Sequence, residues 1–201
     1  HIDIAATSLA LAGIPVPGWM QGDDILAPDH APKDYVFAAR DRCDETPERI
    51  RSVRDDRFLY IRNFYPELAL FQPNAHKHSF GEVGMLIRMH ENGTTTPLQE
   101  DLFFQRKPEE LYDYVADPWQ TNNLADDPAY AATLARLRDR LDQWIVETGD
   151  PGTEPLEIYQ AEMVYQLGRR DADQAMRDSV AHFEALYRDG TIGGEGETTK
   201  D

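Results

Sequence analysis

The stretch IRSVRDDRFLYIRN, from Ile50 to Asn63, carries the pattern that decides the fold. Two runs of alternating side chains, rich in β-branched and aromatic residues, flank the polar pair Asp55-Asp56. Runs of this kind around a short polar turn are typical of a β-hairpin. Because Asp-Asp forms a two-residue turn less readily than Asp-Gly, a longer loop between the two strands is the alternative. We therefore expect two antiparallel strands in this stretch.

Two further strand candidates lie on either side of the hairpin. Asp34 to Arg40 reads DYVFAAR, and its tyrosine, valine and phenylalanine favour an extended backbone. Glu110 to Tyr114 reads ELYDY and is followed by the turn pair Asp117-Pro118. Together with the hairpin, these segments predict a small antiparallel sheet.

A long amphipathic helix follows the last of these strands. Asp127 can accept hydrogen bonds as its N-cap, and Pro128 suits the first helical position. Large apolar side chains then recur every three or four residues, at Tyr130, Leu134, Leu137, Leu141 and Trp144. We expect this helix, from Pro128 to about Glu147, to cross one face of the sheet. The predicted fold class is therefore α+β, a small antiparallel sheet packed on a long helix.

The remaining patterns are mostly helical. A first helix over Ile2 to Ala12 is apolar around much of its circumference, and a proline-bearing linker, Ile14 to Lys33, follows it. We expect Ile2, Leu9 and Leu11 to be poorly covered within this chain. Shorter helices are predicted over Phe80 to His90 and from Pro97 onward, and amphipathic ones over Leu156 to Leu167 and Ala172 to Tyr187. Residues 190–201 are polar and are expected to fray.

The charge balance limits the classes of partner. Lys and Arg total 20 against 37 Asp and Glu, a formal net charge of -17. Such a surface repels phosphate backbones and anionic lipids, so we expect no nucleic-acid partner and no membrane partner. It equally repels sulfated polymers at long range, so an anionic ligand would need a local basic patch. The alternative interpretation is that the net negative charge only keeps the protein soluble.

Within the sequence, no segment matches a catalytic template such as a glycine-rich phosphate loop, a nucleophile elbow or an HExxH pair. The candidate binding residues are Arg40, Asp41 and Arg42, directly after a predicted strand. Arginines at a loop of this kind can grip a sulfate or carboxylate through forked hydrogen bonds, and the alternative is a cluster of surface ion pairs. We assign no catalytic residue and no metal ligand.

Two other motifs have a functional and a structural interpretation. Cys43 is the single cysteine, so it forms no internal disulfide; it is either a reactive thiol or an inert small side chain. His76 and His78 would share one face of a strand and could bind a metal with a third ligand, or they lie in a surface loop. Neither motif by itself predicts an activity.

Four segments taken in order resemble type I sulfatases. HIDIAATSLALAGI, from His1 to Ile14, is similar to the helix HIDIAPTLLDLAGI late in their catalytic domain. WMQGDDIL, from Trp19 to Leu26, is similar to their connector GMQGRSLLP. The hairpin stretch from Arg51 to Asn63 resembles RAVRDGRYKYIRN. The region from Glu110 through Pro128 resembles ELYDLEADPHETNNLADDP.

The resemblance implies a domain organisation. Residues 1–33 would be the end of an alkaline-phosphatase-like catalytic domain with its connector, and residues 34–150 would be the sulfatase C-terminal subdomain. Residues 151–201 lie outside the resemblance and would form a helical extension with a disordered tail. That extension would be a helical cap or an oligomerisation element.

The resemblance also implies an activity, closest to the heparan N-sulfatase-like group. In the family a Cys or Ser converted to formylglycine attacks the sulfate ester or sulfamate of a sulfated carbohydrate, and calcium polarises the sulfate. The nucleophile motif is C/S-x-P-x-R, which Cys43-Asp44-Glu45-Thr46-Pro47 does not match. The calcium ligands lie upstream in the family. This chain alone is therefore expected to be an inactive C-terminal fragment.

The resemblance further implies partners. They are the missing N-terminal catalytic domain and a sulfated sugar held at the pocket rim by the loop Arg40 to Glu45. Outside the resemblance, a second copy of the chain is a candidate partner through residues 151–201. Arg40→Ala or Arg42→Ala would then raise KM. A periplasmic or secreted location is implied for the family. The alternative interpretation is a free-standing acidic binding or scaffold module without catalysis.

Overall fold

The computed structural model describes residues 2–78, 80–168 and 174–193. The chain forms two compact units, His1–Val36 and Phe37–Asp201. The helices are α1 Ile2–Leu11, α2 Ala75–His78, α3 Gly81–Glu91, α4 Pro97–Phe103, α5 Ala131–Thr148, α6 Leu156–Leu167 and α7 Gln174–Asp189. The strands are β1 Val36–Arg40, β2 Ile50–Arg54, β3 Phe58–Asn63 and β4 Glu109–Asp113.

The strands form one four-stranded sheet in the order β1-β2-β3-β4. The β2/β3 pair is antiparallel with Ile50 opposite Asn63, and β3/β4 is antiparallel with Tyr60 opposite Leu111. The carboxylate of Asp55 accepts hydrogen bonds from the backbone N–H groups of Arg57 and Phe58. This aspartate-stabilised turn explains how the hairpin closes without glycine. The predicted hairpin and antiparallel sheet are confirmed.

Helix α5 covers one face of the sheet. Asp127 accepts a hydrogen bond from the backbone N–H of Ala129, and a single 3-10 turn, Pro128–Tyr130, leads into α5. The apolar side chains buried at this face come from both elements: Leu134, Leu137 and Leu141 from α5, and Val53, Tyr60 and Leu111 from the sheet. Gly149 ends α5 in the left-handed conformation at φ 63°. The predicted α+β architecture is confirmed.

Two aromatic contacts extend this interface at the ends of α5. Trp144 stacks on Phe37 of β1 with ring centroids 5.0 Å apart. Tyr130 meets Phe58 of β3 edge to face at 6.0 Å. The apolar side chains predicted for this helix therefore all lie on the side that faces the sheet. Tyr130 and Trp144, the first and the last of them, are half-buried.

A second hydrophobic core lies where α6 and α7 pack against the segment that follows β3. Its buried members are Tyr65, Leu68, Tyr159, Met163, Val180, Phe183 and Ile192. The prediction that residues 190–201 fray is wrong for its first part, because Ile192 is buried and its N–H donates to the Leu186 carbonyl at 3.1 Å. Residues 194–201, where the disordered tail was expected, lie outside the described residues.

The first unit is held by polar contacts between α1 and the connector. The Asp3 carboxylate binds the Lys33 ammonium at 2.9 Å and accepts the N–H of Asp23 at 2.9 Å. A Cβ built on Gly22 would lie 2.1 Å from a backbone oxygen of α1, so only glycine fits there. The expected exposure is confirmed for Ile2 and Leu11, whereas Leu9 is half-buried.

The shorter helices agree with the sequence except at one motif. Helix α4 begins with a capping box in which Thr96 and Gln99 bond reciprocally. His76 lies in the short helix α2 rather than in a strand or loop, so the interpretation based on strand spacing is wrong. Among the helices of the described part, none is long and apolar enough to cross a bilayer.

Candidate functional site

A cavity of about 290 Å³ opens in the second unit, between the loop after β1, the segment after α5 and helix α7. We name it the loop cavity. Its lining residues are Asp41, Arg42, Pro47, Glu48, Tyr65, Pro151, Gly152, Thr153, Glu154, Pro155, Ile158 and Tyr187. Seven of these twelve residues lie within 151–201, the segment that was predicted to be a separate helical extension.

The structure brings together two of the predicted binding residues. Asp41 and Arg42 line the loop cavity, whereas Arg40 does not. Arg40 is the last residue of β1, and its backbone carbonyl accepts a hydrogen bond from Arg51 Nη1 at 3.2 Å. A direct contact between the Arg40 side chain and a ligand stays a prediction.

Arg42 is fixed across the mouth of the cavity. Its Nε donates to Glu154 Oε2 at 2.9 Å, and its Nη1 donates to the carbonyl of Asp44 at 2.8 Å. Asp44 occupies the left-handed region at φ 51°, inside a tight turn closed by two backbone hydrogen bonds between Cys43 and Thr46. A non-glycine residue held in this conformation stores strain that a surrounding structure must offset. The hydrogen bonds to Glu154 and to the Asp44 carbonyl therefore hold the Arg42 side chain in one orientation.

An ion-pair cluster joins the two walls of the cavity. The guanidinium of Arg51 has only 1% of its side chain exposed, and it bonds both carboxylate oxygens of Asp150. The same guanidinium meets Asp41 Oδ1 at 2.8 Å. Asp150 also accepts the N–H of Gly152 at 3.0 Å, which fixes the start of the wall segment. We name Arg51, Asp41 and Asp150 the Arg51 clamp.

The electrostatics of the clamp follow from its burial. Burial acts to raise the pKa of the Asp150 carboxyl, but the hydrogen bonds from Arg51 and Gly152 outweigh it and hold the pKa below its usual range. Burial likewise disfavours the charged form of Arg51, yet the two carboxylates around it raise its pKa. Both groups therefore stay ionised in the folded protein at neutral pH.

The floor of the cavity combines a buried acid with two tyrosines. The Glu48 carboxylate is paired with the Arg106 guanidinium at 2.8 Å. The Tyr65 hydroxyl donates to Thr153 Oγ1 at 3.0 Å. Burial, and then the Glu154 carboxylate, raise the pKa of Tyr187 above its usual value. These groups supply hydrogen-bond donors and acceptors beside apolar ring faces.

Sequence reasoning missed most of this arrangement. Arg51 and Asp150 are 99 positions apart, and Arg42 and Glu154 are 112 apart. No local pattern marks such pairs as partners, because ion pairs of this range exist only after the chain has folded. From the sequence alone, Asp150-Pro151-Gly152 indicates only that the preceding helix ends there.

Other candidate chemistry finds no support in the geometry. Cys43 is exposed, and its side chain has no acid or base partner among the hydrogen bonds of the described residues. Within residues 2–78, 80–168 and 174–193, no group of three or more His, Cys, Asp or Glu side chains could hold a metal ion.

Comparison with known proteins gives the family. No protein-family model matches the chain. An ulvan-active sulfatase of Formosa agariphila is 36% identical over 156 residues, covering 77% of this chain and 26% of that protein. The N-sulphoglucosamine sulphohydrolase of Homo sapiens is 46% identical over 121 residues, covering 58% of this chain and 24% of the enzyme. The chain belongs to the sulfatase family.

This sulfatase chain spans about a quarter of the length of the curated relatives it matches. A second ulvan-active sulfatase of Formosa agariphila is 29% identical over 157 residues. Among solved structures, a 2-O GAG sulfatase matches with a TM-score of 0.49 and 24% identity, over 88% of this chain and 28% of its own. A protein solved with its substrate D-glucosamine-2-N,6-O-disulfate gives a TM-score of 0.45 and 19% identity, over 74% and 24%.

Proposed function

We propose that this chain is part of a longer, formylglycine-dependent sulfatase that hydrolyses sulfate esters or sulfamates of a sulfated carbohydrate. The support comes from the sulfatase relatives, one of which acts on ulvan and another on N-sulphoglucosamine according to their names. Those relatives are about four times longer than the matched part. The sequence given has no C/S-x-P-x-R motif, so the nucleophile would come from another part of the protein.

Calcium would also be held elsewhere. When bound in such an enzyme, calcium polarises the sulfate group. The described residues of this chain offer no cluster of three carboxylate, His or Cys side chains that would fit it. We propose that the nucleophile and the calcium ligands both come from another part of the longer protein.

The role proposed for this chain is sugar binding at the loop cavity. The observation that carries it is the convergence of Asp41 and Arg42 with Glu154, from a distant segment, on one concave surface. Concave sites with a few fixed polar groups beside apolar walls are the usual form of small-molecule sites. Carboxylates and a guanidinium form strong, directional hydrogen bonds with hydroxyl-rich ligands.

Two finer features belong to the same proposal. A periplasmic or extracellular location would suit a sulfatase acting on polymeric sugars.

Self-association through residues 151–201 would use the exposed apolar side chains Ile158, Val164 and Tyr165 on α6. Sedimentation velocity of the 201-residue chain and of an Ile158→Glu variant would test this contact. A monomer at all concentrations would refute it.

Release of inorganic sulfate tests the proposed activity. The longer protein that contains this chain, and the 201-residue chain alone, would each be incubated with ulvan and with glucosamine N-sulfate, and free sulfate measured by ion chromatography. We expect release by the longer protein only. Sulfate release by this chain alone, or none from the longer protein on any sulfated sugar, would contradict the proposal, and the second result would favour a non-catalytic acidic binding module.

A further inference from the structure

The ionised groups that face the loop cavity are mostly acidic. Among its lining residues, Asp41, Glu48 and Glu154 are carboxylates and Arg42 is the cation. The charge of Arg42 is already engaged by Glu154 at 2.9 Å. On the protein side, the Arg51 guanidinium lies 2.8 Å from Asp41, and the Arg106 guanidinium lies 2.8 Å from Glu48.

Burial decides which of these charges a ligand meets. The Arg51 side chain is 1% exposed, so it lies behind the wall, whereas the Asp41 side chain is 57% exposed. Glu48 has both oxygens on the buried Arg106 guanidinium. A ligand entering the cavity therefore meets Asp41 and the Arg42–Glu154 pair first.

Several side-chain atoms at the cavity are free to form hydrogen bonds with a ligand, and the ionised ones among the acceptors are carboxylate oxygens. Within the described residues, Asp41 Oδ2 and Glu154 Oε1 accept no hydrogen bond, and both can receive one from a ligand hydroxyl. On the donor side, Arg42 Nη2 and the Tyr187 hydroxyl are uncommitted among the same residues. Two carboxylate oxygens and two side-chain donors are thus free to bind a ligand. Asp41 is paired with Arg51 behind the wall, and Arg42 is paired with Glu154 at the surface of the cavity.

A sulfate group suits such a surface poorly. It is anionic at any ordinary pH and carries acceptor oxygens without a donor, so it needs excess positive charge or several N–H donors. A sugar hydroxyl, in contrast, donates to a carboxylate and accepts from a guanidinium. We propose that the loop cavity binds an unsulfated, hydroxyl-bearing sugar ring and disfavours a ring that carries sulfate. This rests on the proposed function and names which part of the saccharide this site would select.

The selection can be measured on the 201-residue chain by NMR titration. The probes are N-acetylglucosamine and its 6-sulfate, galactose and its 6-sulfate, and sodium sulfate with sodium chloride as the ionic-strength control. We expect the backbone amides of Gly152 and Thr153 to shift with an unsulfated sugar. The matched sulfated sugar should bind roughly tenfold more weakly, as expected for one added charge about 6 Å from a net carboxylate at an effective dielectric constant of about 40.

A charge variant separates the cavity from the net charge of the protein. Glu154→Gln releases Arg42 and should strengthen binding of the sulfated sugar by roughly tenfold relative to the unsulfated one. Asp142→Asn is the matched control, because it removes one carboxylate from the Arg62 ion pair on α5, outside the cavity. Asp41→Asn gives a second cavity variant if Glu154→Gln unfolds, which thermal unfolding would show.

The outcomes are distinct. Stronger binding of sulfated sugars than of unsulfated ones by the wild-type chain, or cavity shifts with sodium sulfate alone, would overturn the inference. Equal effects of Glu154→Gln and Asp142→Asn would overturn it as well, since selection would then follow overall charge. Absence of response to every probe would overturn the inference too. Sulfate release by the longer protein would stand independently of all these results.

Discussion

Removing the charge of Asp150 tests the Arg51 clamp most sharply. In the wild-type chain the Asp150 side chain is 4% exposed and pairs with Arg51, which is 1% exposed. Asp150→Asn keeps the shape of the side chain but leaves the Arg51 guanidinium with Asp41 alone, on its solvent side. It also removes the carboxylate charge that lies 3.5 Å from Nη2 of the buried Arg49. Breaking a buried ion pair in this way destabilises proteins by about 3–5 kcal/mol.

The lower end of that range applies here because Asp41 still offsets part of the Arg51 charge. We expect a loss of about 3 kcal/mol in the free energy of unfolding. For a chain of this size, that corresponds to a fall in Tm of about 6–12 °C. Urea unfolding followed by circular dichroism measures the free energy, and differential scanning calorimetry measures Tm.

The pH dependence gives a second, independent readout. Because the folded-state pKa of Asp150 is lowered, its contribution is fully present above the ordinary aspartate pKa of about 3.9 and is lost as the pH falls through the lower folded value. The stability difference between wild type and Asp150→Asn should therefore stay constant down to about pH 5 and shrink as the pH falls below about 4. Asp142→Asn, whose carboxylate is 51% exposed, should change stability by less than about 1 kcal/mol. A loss below 1 kcal/mol for Asp150→Asn, or a difference independent of pH, would refute the reasoning.

Three further substitutions test other parts of the account. Leu137→Ala removes a fully buried side chain between α5 and the sheet and should cost about 2–5 kcal/mol in urea unfolding; a cost under 1 kcal/mol would mean that the helix does not pack there. Gly22→Ala should speed hydrogen exchange in α1, since its Cβ would meet a backbone oxygen of that helix, whereas Gly18→Ala has open space and should not. In the longer protein, Arg42→Ala should raise KM severalfold with little change in kcat, because Arg42 lines the cavity; unchanged KM on several sulfated sugars for both Arg40→Ala and Arg42→Ala would refute a binding role for this loop.

Much of the fold could be predicted because local sequence patterns determine its strands and its long helix. The alternation in Ile50 to Asn63 specified two strands, and the three- and four-residue spacing after Asp127 specified α5 and its buried face. Both patterns work because the side-chain period of a strand or helix fixes which residues share a face. The family resemblance, carried by four ordered segments, predicted the sulfatase membership that the relatives confirm.

What failed depended on packing between distant segments. The tail beginning at Gly190 is polar in composition, yet Ile192 is buried in the second core, which includes side chains of α6 and α7. A single apolar residue has no period, so no sequence pattern marks it as buried. The loop after β1 lines a cavity through Asp41 and Arg42, and its role in binding stays a prediction. Its acidic character in the folded state depends on Glu154 and on the burial of Arg51, neither of which is visible before folding.

The position of a bound sugar in the longer protein tests the proposed binding role most directly. A crystal structure of the longer protein with a sulfated oligosaccharide would show this in one measurement. We expect a ring without sulfate in the loop cavity, with hydroxyl oxygens within hydrogen-bond distance of Arg42 and Glu154. A cavity filled by another part of the protein, or an oligosaccharide bound wholly outside it, would contradict the central claim that this part of the sulfatase recognises the sugar.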